Sequence, residues 1–183
     1  KPVRVKVERQ FTRATSGGVG FAKAAGNYGG AFLATREAVK QGYQQVLWTD
    51  HHNHEYFEEA GTMNVAFVVR GTLITPALSD RILAGITRDS ILTLCREWGI
   101  PVEERAISVA EIVDAAKAGE LNEAFGMGTA AVVSPIEAFG MEDQLHLVPV
   151  PTDGIAARVR AALADIRYGR TEDRHGWMHH IKL

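Results

Sequence analysis

Cysteine is almost missing from this chain: the single thiol, Cys95, has no partner for an internal disulfide. Also lacking are an apolar run long enough to cross a bilayer, a signal peptide and a lipidation motif. Neither sign of charge is in large excess. Lys and Arg number 20 against 22 Asp and Glu, a formal charge of -2, so the clustered cations with which a nucleic-acid-binding face displaces counterions are not there. These absences argue against a disulfide scaffold, a membrane partner and a nucleic-acid partner, and the expected location is cytoplasmic or an organelle matrix. Repeats and low-complexity segments are absent too. An initiator methionine is missing: the sequence opens at Lys1 and passes at once into the alternating run Val3–Val7. The expectation is a fragment, residues 1–183 forming one domain whose N-terminal neighbour has been lost.

What is present reads as a mixed α/β (α+β) domain, and 183 residues suffice to bury a substantial core. Strand patterns fall at Val3–Val7, Gln45–Thr49, Asn64–Val69, Thr72–Thr75, Val102–Ile107, Ala131–Ile136 and His146–Val150. Helical patterns fall at Tyr28–Gln41, Arg88–Trp98, Val109–Ala118 and Gly154–Tyr168. In the second of these, Ile91, Leu92, Leu94, Cys95 and Trp98 share a side, which places Cys95 in the core. Gly42, Gly99 and Gly119 stand where a left-handed residue closes a last turn. Arg70-Gly71 reads as a hairpin turn, and Pro149 with Pro151 parts the last strand from the last helix.

Four segments carry candidate chemistry. Lys23 stands alone among small and apolar neighbours before the glycine-rich helix start Gly26-Asn27-Tyr28-Gly29-Gly30; desolvation there favours the neutral amine, the form that attacks a carbonyl to give a Schiff base. In Glu58-Glu59-Ala60-Gly61-Thr62-Met63-Asn64 an acid precedes a glycine turn that feeds an apolar strand, so its carboxylate can point inward. Opposite a pyridine nitrogen it would keep that nitrogen protonated and the ring electron-withdrawing; a solvated cluster of Glu55, Glu58 and Glu59 is the plainer alternative. Thr87, in Gly85-Ile86-Thr87-Arg88, is a candidate N-cap at a helix start able to seat a phosphate. Gly126-Met127-Gly128-Thr129-Ala130 offers close backbone approach and a hydroxyl for a second anion contact, or simply a turn. The histidines His51, His52 and His54 fall in a polar loop without the anchored geometry of a metal site.

Lysine, acid and two anion seats together match the chemistry of pyridoxal 5'-phosphate. With Ala22-Lys23-Ala24-Ala25-Gly26-Asn27-Tyr28 and the three other motifs in order and at similar spacing, the chain resembles the C-terminal half of a branched-chain amino acid aminotransferase of the fold type IV pyridoxal-phosphate family. Ile166-Arg167-Tyr168-Gly169-Arg170 and Gly176-Trp177-Met178 resemble the end of the subclass that includes the eukaryotic enzymes. The resemblance implies a barrel-like core of mixed sheets flanked by helices, and a homodimer. It implies that Lys23 is the catalytic, cofactor-bound lysine and proton shuttle, that Tyr28 meets the cofactor's phenolic oxygen and that Glu59 pairs with the ring nitrogen. Ile86, Thr87 and Thr129 would hold the phosphate, with Thr62 and Ala130 near the substrate carboxylate. The implied reaction is ping-pong transamination of leucine, isoleucine or valine with 2-oxoglutarate. Ala131 and Ser134 stand where some animal members carry a redox cysteine pair, so thiol regulation of that kind is not expected. Other fold type IV activities, a D-amino acid aminotransferase or an aminodeoxychorismate lyase, use the same lysine and glutamate; a cofactor-binding or dimer-forming fragment without turnover is the reading from a different class. His179 and His180 read as a frayed end, and Lys182-Leu183 as residual added sequence.

Overall fold

In the computed structural model the described residues are 1–179 and 181; His180, Lys182 and Leu183, read above as a tail, lie outside them. The elements run β1 (Val3–Val7), α1 (Ala25–Gly29), α2 (Ala31–Lys40), β2 (Gln45–Thr49), β3 (Phe57–Ala60), β4 (Met63–Val69), β5 (Thr72–Thr75), α3 (Ile86–Glu97), β6 (Val102–Glu104), α4 (Val109–Lys117), β7 (Leu121–Gly128), β8 (Val132–Met141), β9 (Gln144–Leu147) and α5 (Ile155–Arg167). Strands β3-β2-β1-β8-β7-β4 lie side by side and close into a barrel where β4 pairs with β3. β1 is parallel to both β2 and β8, whereas the other barrel pairings are antiparallel. β5 and β6 extend the sheet beyond β4, and β9 pairs with β8. The mixed barrel with flanking helices agrees with the expected fold.

Alternation along β4 explains why helices cover the barrel. Val65, Phe67 and Val69 join a cluster fed by all six barrel strands and by Ile112 and Val113 of α4, while Ala66 and Val68 pack with Ile91, Leu92 and Cys95 of α3 and Val159 and Leu163 of α5. A strand buried on both faces needs continuous hydrophobicity, and each large apolar side chain so enclosed contributes roughly 1.5–3 kcal/mol. Ala34 and Ala38 of α2 seat that helix on Val46 and Trp48 of β2.

Several boundaries differ from those read in the sequence. The helix expected over 28–41 is two helices joined at Gly30, since adjacent glycines propagate a helix poorly. β3 and β7 were not expected. The short β3 sequence Phe-Glu-Glu-Ala has poor strand propensity, and β7 carries two glycines; cross-strand pairing overrides both. Gly126 and Gly128 therefore belong to a strand, and only Thr129-Ala130-Ala131 forms the turn into β8. The strand expected over 102–107 ends at Glu104, and the last strand lies at 144–147 instead of 146–150. The glycines after α2, α3 and α4 do have positive φ, as do Arg70 and Gly71 in the β4–β5 turn.

Candidate active site

Lys23 lines two adjoining clefts at one end of the barrel. The larger, about 650 Å³, is bordered by Tyr28, Thr62, Met63, Thr129, Ala130 and Ser134. The smaller, about 240 Å³, runs from Lys23 past Asn64 and Leu83 to Gly85, Ile86 and Thr87. Seven of the eight residues singled out by sequence thus border one of the clefts. Glu59 is behind their wall, bonded to two lining residues: its Oε1 accepts from the Leu83 N–H at 2.8 Å and from the Asn64 amide at 3.5 Å.

The local sequence positions each group. Gly61-Thr62 is a two-residue turn between β3 and β4, with Ala60 opposite Met63. Gly61 has φ +58°, and a Cβ there would come within 2.2 Å of the Gln45 side-chain oxygen, so glycine alone fits. Its N–H and C=O are taken by Val46 and by the Trp48 indole, which pins the turn to β2 and leaves Thr62 exposed at the cleft. Pleating then sends Glu58 and Glu59 to opposite sides of β3. Both are buried, so the solvated acidic cluster survives only at exposed Glu55. Glu58 pairs with Arg81 at 2.6 Å. Glu59 lies 3.3 Å from the Arg13 guanidinium, the two side chains being 4% and 5% exposed. Burial pushes the Glu59 carboxyl up to about 7, against the opposing pull of Arg13 and the Leu83 N–H.

α3 begins one turn beside this carboxylate. Its N-cap is Gly85, not Thr87: Gly85 is extended, and its carbonyl accepts from the Asp89 N–H at 3.0 Å. No side chain caps the helix, so the first-turn N–H groups at Ile86 and Thr87 lack an intrahelical partner and open on the smaller cleft. The Thr87 hydroxyl is released from capping to join them. Gly85 is a cradle in its own right, because a Cβ would fall 2.1 Å from Asn64 Oδ1. Arg88 anchors the turn from beneath, donating to the Pro76 carbonyl and to Glu104.

One expectation is corrected. Lys23 is exposed in this chain, and the desolvated setting inferred from its small apolar neighbours is not realised, because Val19 and Phe21 are themselves more than half exposed and lay no cover over it. The short helix α1 still brings Tyr28, half-buried, to the same cleft. Sequence reading missed Arg13, which falls in an aperiodic polar loop with its partner 46 positions away, and assigned no role to Asn64, although it closes the second motif. The three histidines do occupy a loop: the Asp50 carboxylate accepts from the N–H groups of His52, Asn53, Glu55 and Tyr56, and His54 Nδ1 lies 2.7 Å from the Thr49 hydroxyl.

A primary amine, a buried carboxylate, a helix N-terminus with free amides and a glycine cradle fit a phosphorylated pyridine aldehyde. The comparisons with known proteins agree. The chain is 45% identical over 178 residues to branched-chain-amino-acid transaminase 1 of Bacillus subtilis (strain 168), covering 97% of this chain and 50% of that protein. It therefore spans about half the length of the curated relatives it matches. Among solved structures it superposes on the branched-chain aminotransferase of Thermoproteus uzoniensis, described with norvaline, with a TM-score of 0.82 and 29% identity, over 98% of this chain and 56% of that one. The Thermobaculum terrenum branched-chain amino acid aminotransferase, described in a PLP-form, matches with a TM-score of 0.81 and 29% identity, over 98% and 55% of the two chains. The amino-transferase class IV family profile matches residues 19–139, which include Lys23, Glu59, Thr87 and Thr129; the chain belongs to the class IV amino-transferases.

Proposed function

We propose that this chain is the C-terminal, cofactor-binding domain of an enzyme that transfers the amino group of leucine, isoleucine or valine to 2-oxoglutarate using pyridoxal 5'-phosphate. One observation carries the reading: an amine and a buried carboxylate flank a cleft that ends on the free amides of α3. When bound, the cofactor supplies an aldehyde to accept the amino group and a pyridinium ring to withdraw electrons from it. Lys23 Nζ would hold it covalently and, when displaced by substrate, move the proton at the substrate α-carbon. Glu59 would keep a proton on the ring nitrogen, and Tyr28 would donate to the phenolic oxygen. Ile86 and Thr87, through first-turn N–H groups and the Thr87 hydroxyl, would take the phosphate with Thr129. Thr62 and Ala130, exposed on the two turns at the far side of Lys23, would present backbone N–H groups to the substrate carboxylate.

The rest of the substrate pocket and the dimer are assigned on the same footing. The chain covers half the length of its relative, so the remainder of such a protein would be available to close the clefts, and Phe32, Leu33 and Val39 of α2, all exposed here, are suited to cover by a second subunit. Among the described residues no helix is long and apolar enough to cross a membrane, and a cytoplasmic location is proposed with the activity. The test is the first half-reaction of the full-length protein followed by cofactor absorbance. L-leucine is expected to convert the cofactor and Lys23→Ala to abolish conversion; faster conversion by D-alanine would reassign the substrate class.

A further inference from the structure

We propose that Arg13 is a positioning residue that favours the ionised form of Glu59 and holds it in place, so that this carboxylate is available to the site as an anion. The inference rests on the role given to Glu59 above. Arg13 Nε lies 3.3 Å from Glu59 Oε2, with both side chains buried, and among the described residues it is the cation paired with that carboxylate. Nε has no aligned hydrogen bond. The contact is ionic and non-directional, so it stabilises the charge without fixing an N–H on an Oε2 lone pair that a ring N–H needs. The guanidinium is locked from its other end: Nη2 donates to the Gly20 carbonyl at 3.2 Å and to the Arg81 carbonyl. One side chain thereby ties the carboxylate to the segment bearing Lys23 and to the loop that leads into α3.

The surrounding charges make Arg13 decisive. Glu58, next along the strand, opposes ionisation of Glu59, and its own cation, Arg81, is engaged with Glu58, Asp80 and Ser16. Lys23 favours the anion more weakly than Arg13 does, Leu83 N–H contributes one hydrogen bond, and Asn64 is neutral. Asp50 acts on Glu58. Burial is the largest influence, and it drives Glu59 toward the neutral acid. A neutral Glu59 would donate to a ring nitrogen, not hold a proton on it.

The test follows the Glu59 carboxyl carbon by ¹³C NMR against pH in the cofactor-free full-length protein, with Glu59→Gln identifying the resonance. In Arg13→Gln the midpoint is expected to rise by about one unit or more. Arg13→Lys, which keeps the charge but cannot span both carbonyls, is expected to restore most of that shift while lowering Tm. An unmoved or lowered midpoint in Arg13→Gln overturns the proposal. If Arg13→Gln does not fold because it strands a buried charge, the Arg13→Gln/Glu59→Gln double variant is expected to fold; its failure as well would make Arg13 a mechanical brace and overturn the electrostatic role. Cofactor absorbance separates this inference from the function: a Glu59 midpoint that moves while the pH dependence of the bound cofactor's spectrum does not would refute the ring-nitrogen role of Glu59 and leave the Arg13–Glu59 coupling standing.

Discussion

Glu59 is a carboxylate removed from water and only partly compensated, and this has a consequence for stability. Its ordinary value of 4.5 is raised to about 7, so the folded state binds a proton more tightly than the unfolded chain does. Its contribution is fully present below pH 4.5 and is lost as pH rises through 7. Denaturant titration of the cofactor-free protein is expected to show this loss across that window, and Glu59→Gln to flatten it. Saturating pyridoxal phosphate is expected to stabilise more at about pH 7.5, just above this window, than at about pH 5, near its lower end. Cys95 shows the same burial without function. It is fully enclosed in the α3 core, and burial pushes its thiol up to about 11. Thiol reagents are expected to leave it unmodified in the native protein and to label it in denaturant, in keeping with the absence of a redox pair at Ala131 and Ser134.

Elements differ in how openly the sequence announces them. α4 carries its own N-cap: the Ser108 hydroxyl accepts from the Glu111 N–H at 3.0 Å. Ser108→Ala is expected to lower stability by about 1 kcal/mol and to leave cofactor affinity unchanged, as paired denaturation and binding titrations would show. The α3 start works in the opposite way, because its lack of a side-chain cap leaves amides free. Gly85→Ala would drive a methyl into Asn64, and it is expected to weaken binding of pyridoxal phosphate more than that of unphosphorylated pyridoxal. That Lys23, Tyr28, Thr62, Ile86, Thr87 and Thr129 line adjoining clefts was approachable from sequence because each stands in a local motif. β3, β7 and the Arg13 contact were not: the poor strand propensity of Phe-Glu-Glu-Ala and the two glycines of β7 hid strands that cross-strand pairing forms, and Arg13 meets a partner far away in sequence. The cover expected over Lys23 is not supplied by its own sequence neighbours, because apolar neighbours in sequence do not guarantee cover in space.

At the scale of the molecule, barrel closure makes the site. Pairing of β3 with β4 turns the Gly61-Thr62 hairpin toward the β7–β8 turn, while the segment before α1 and the start of α3 bring an amine and free amides to the rim between them. No single element holds the chemistry, which is why the motifs lie so far apart along the chain. The measurement that bears most directly on the whole account is covalent trapping in the full-length protein: addition of pyridoxal phosphate, reduction with borohydride, and mass mapping of the peptides. The account expects one cofactor adduct, on Lys23. An adduct confined to another lysine, or transamination without any adduct on Lys23, would contradict it.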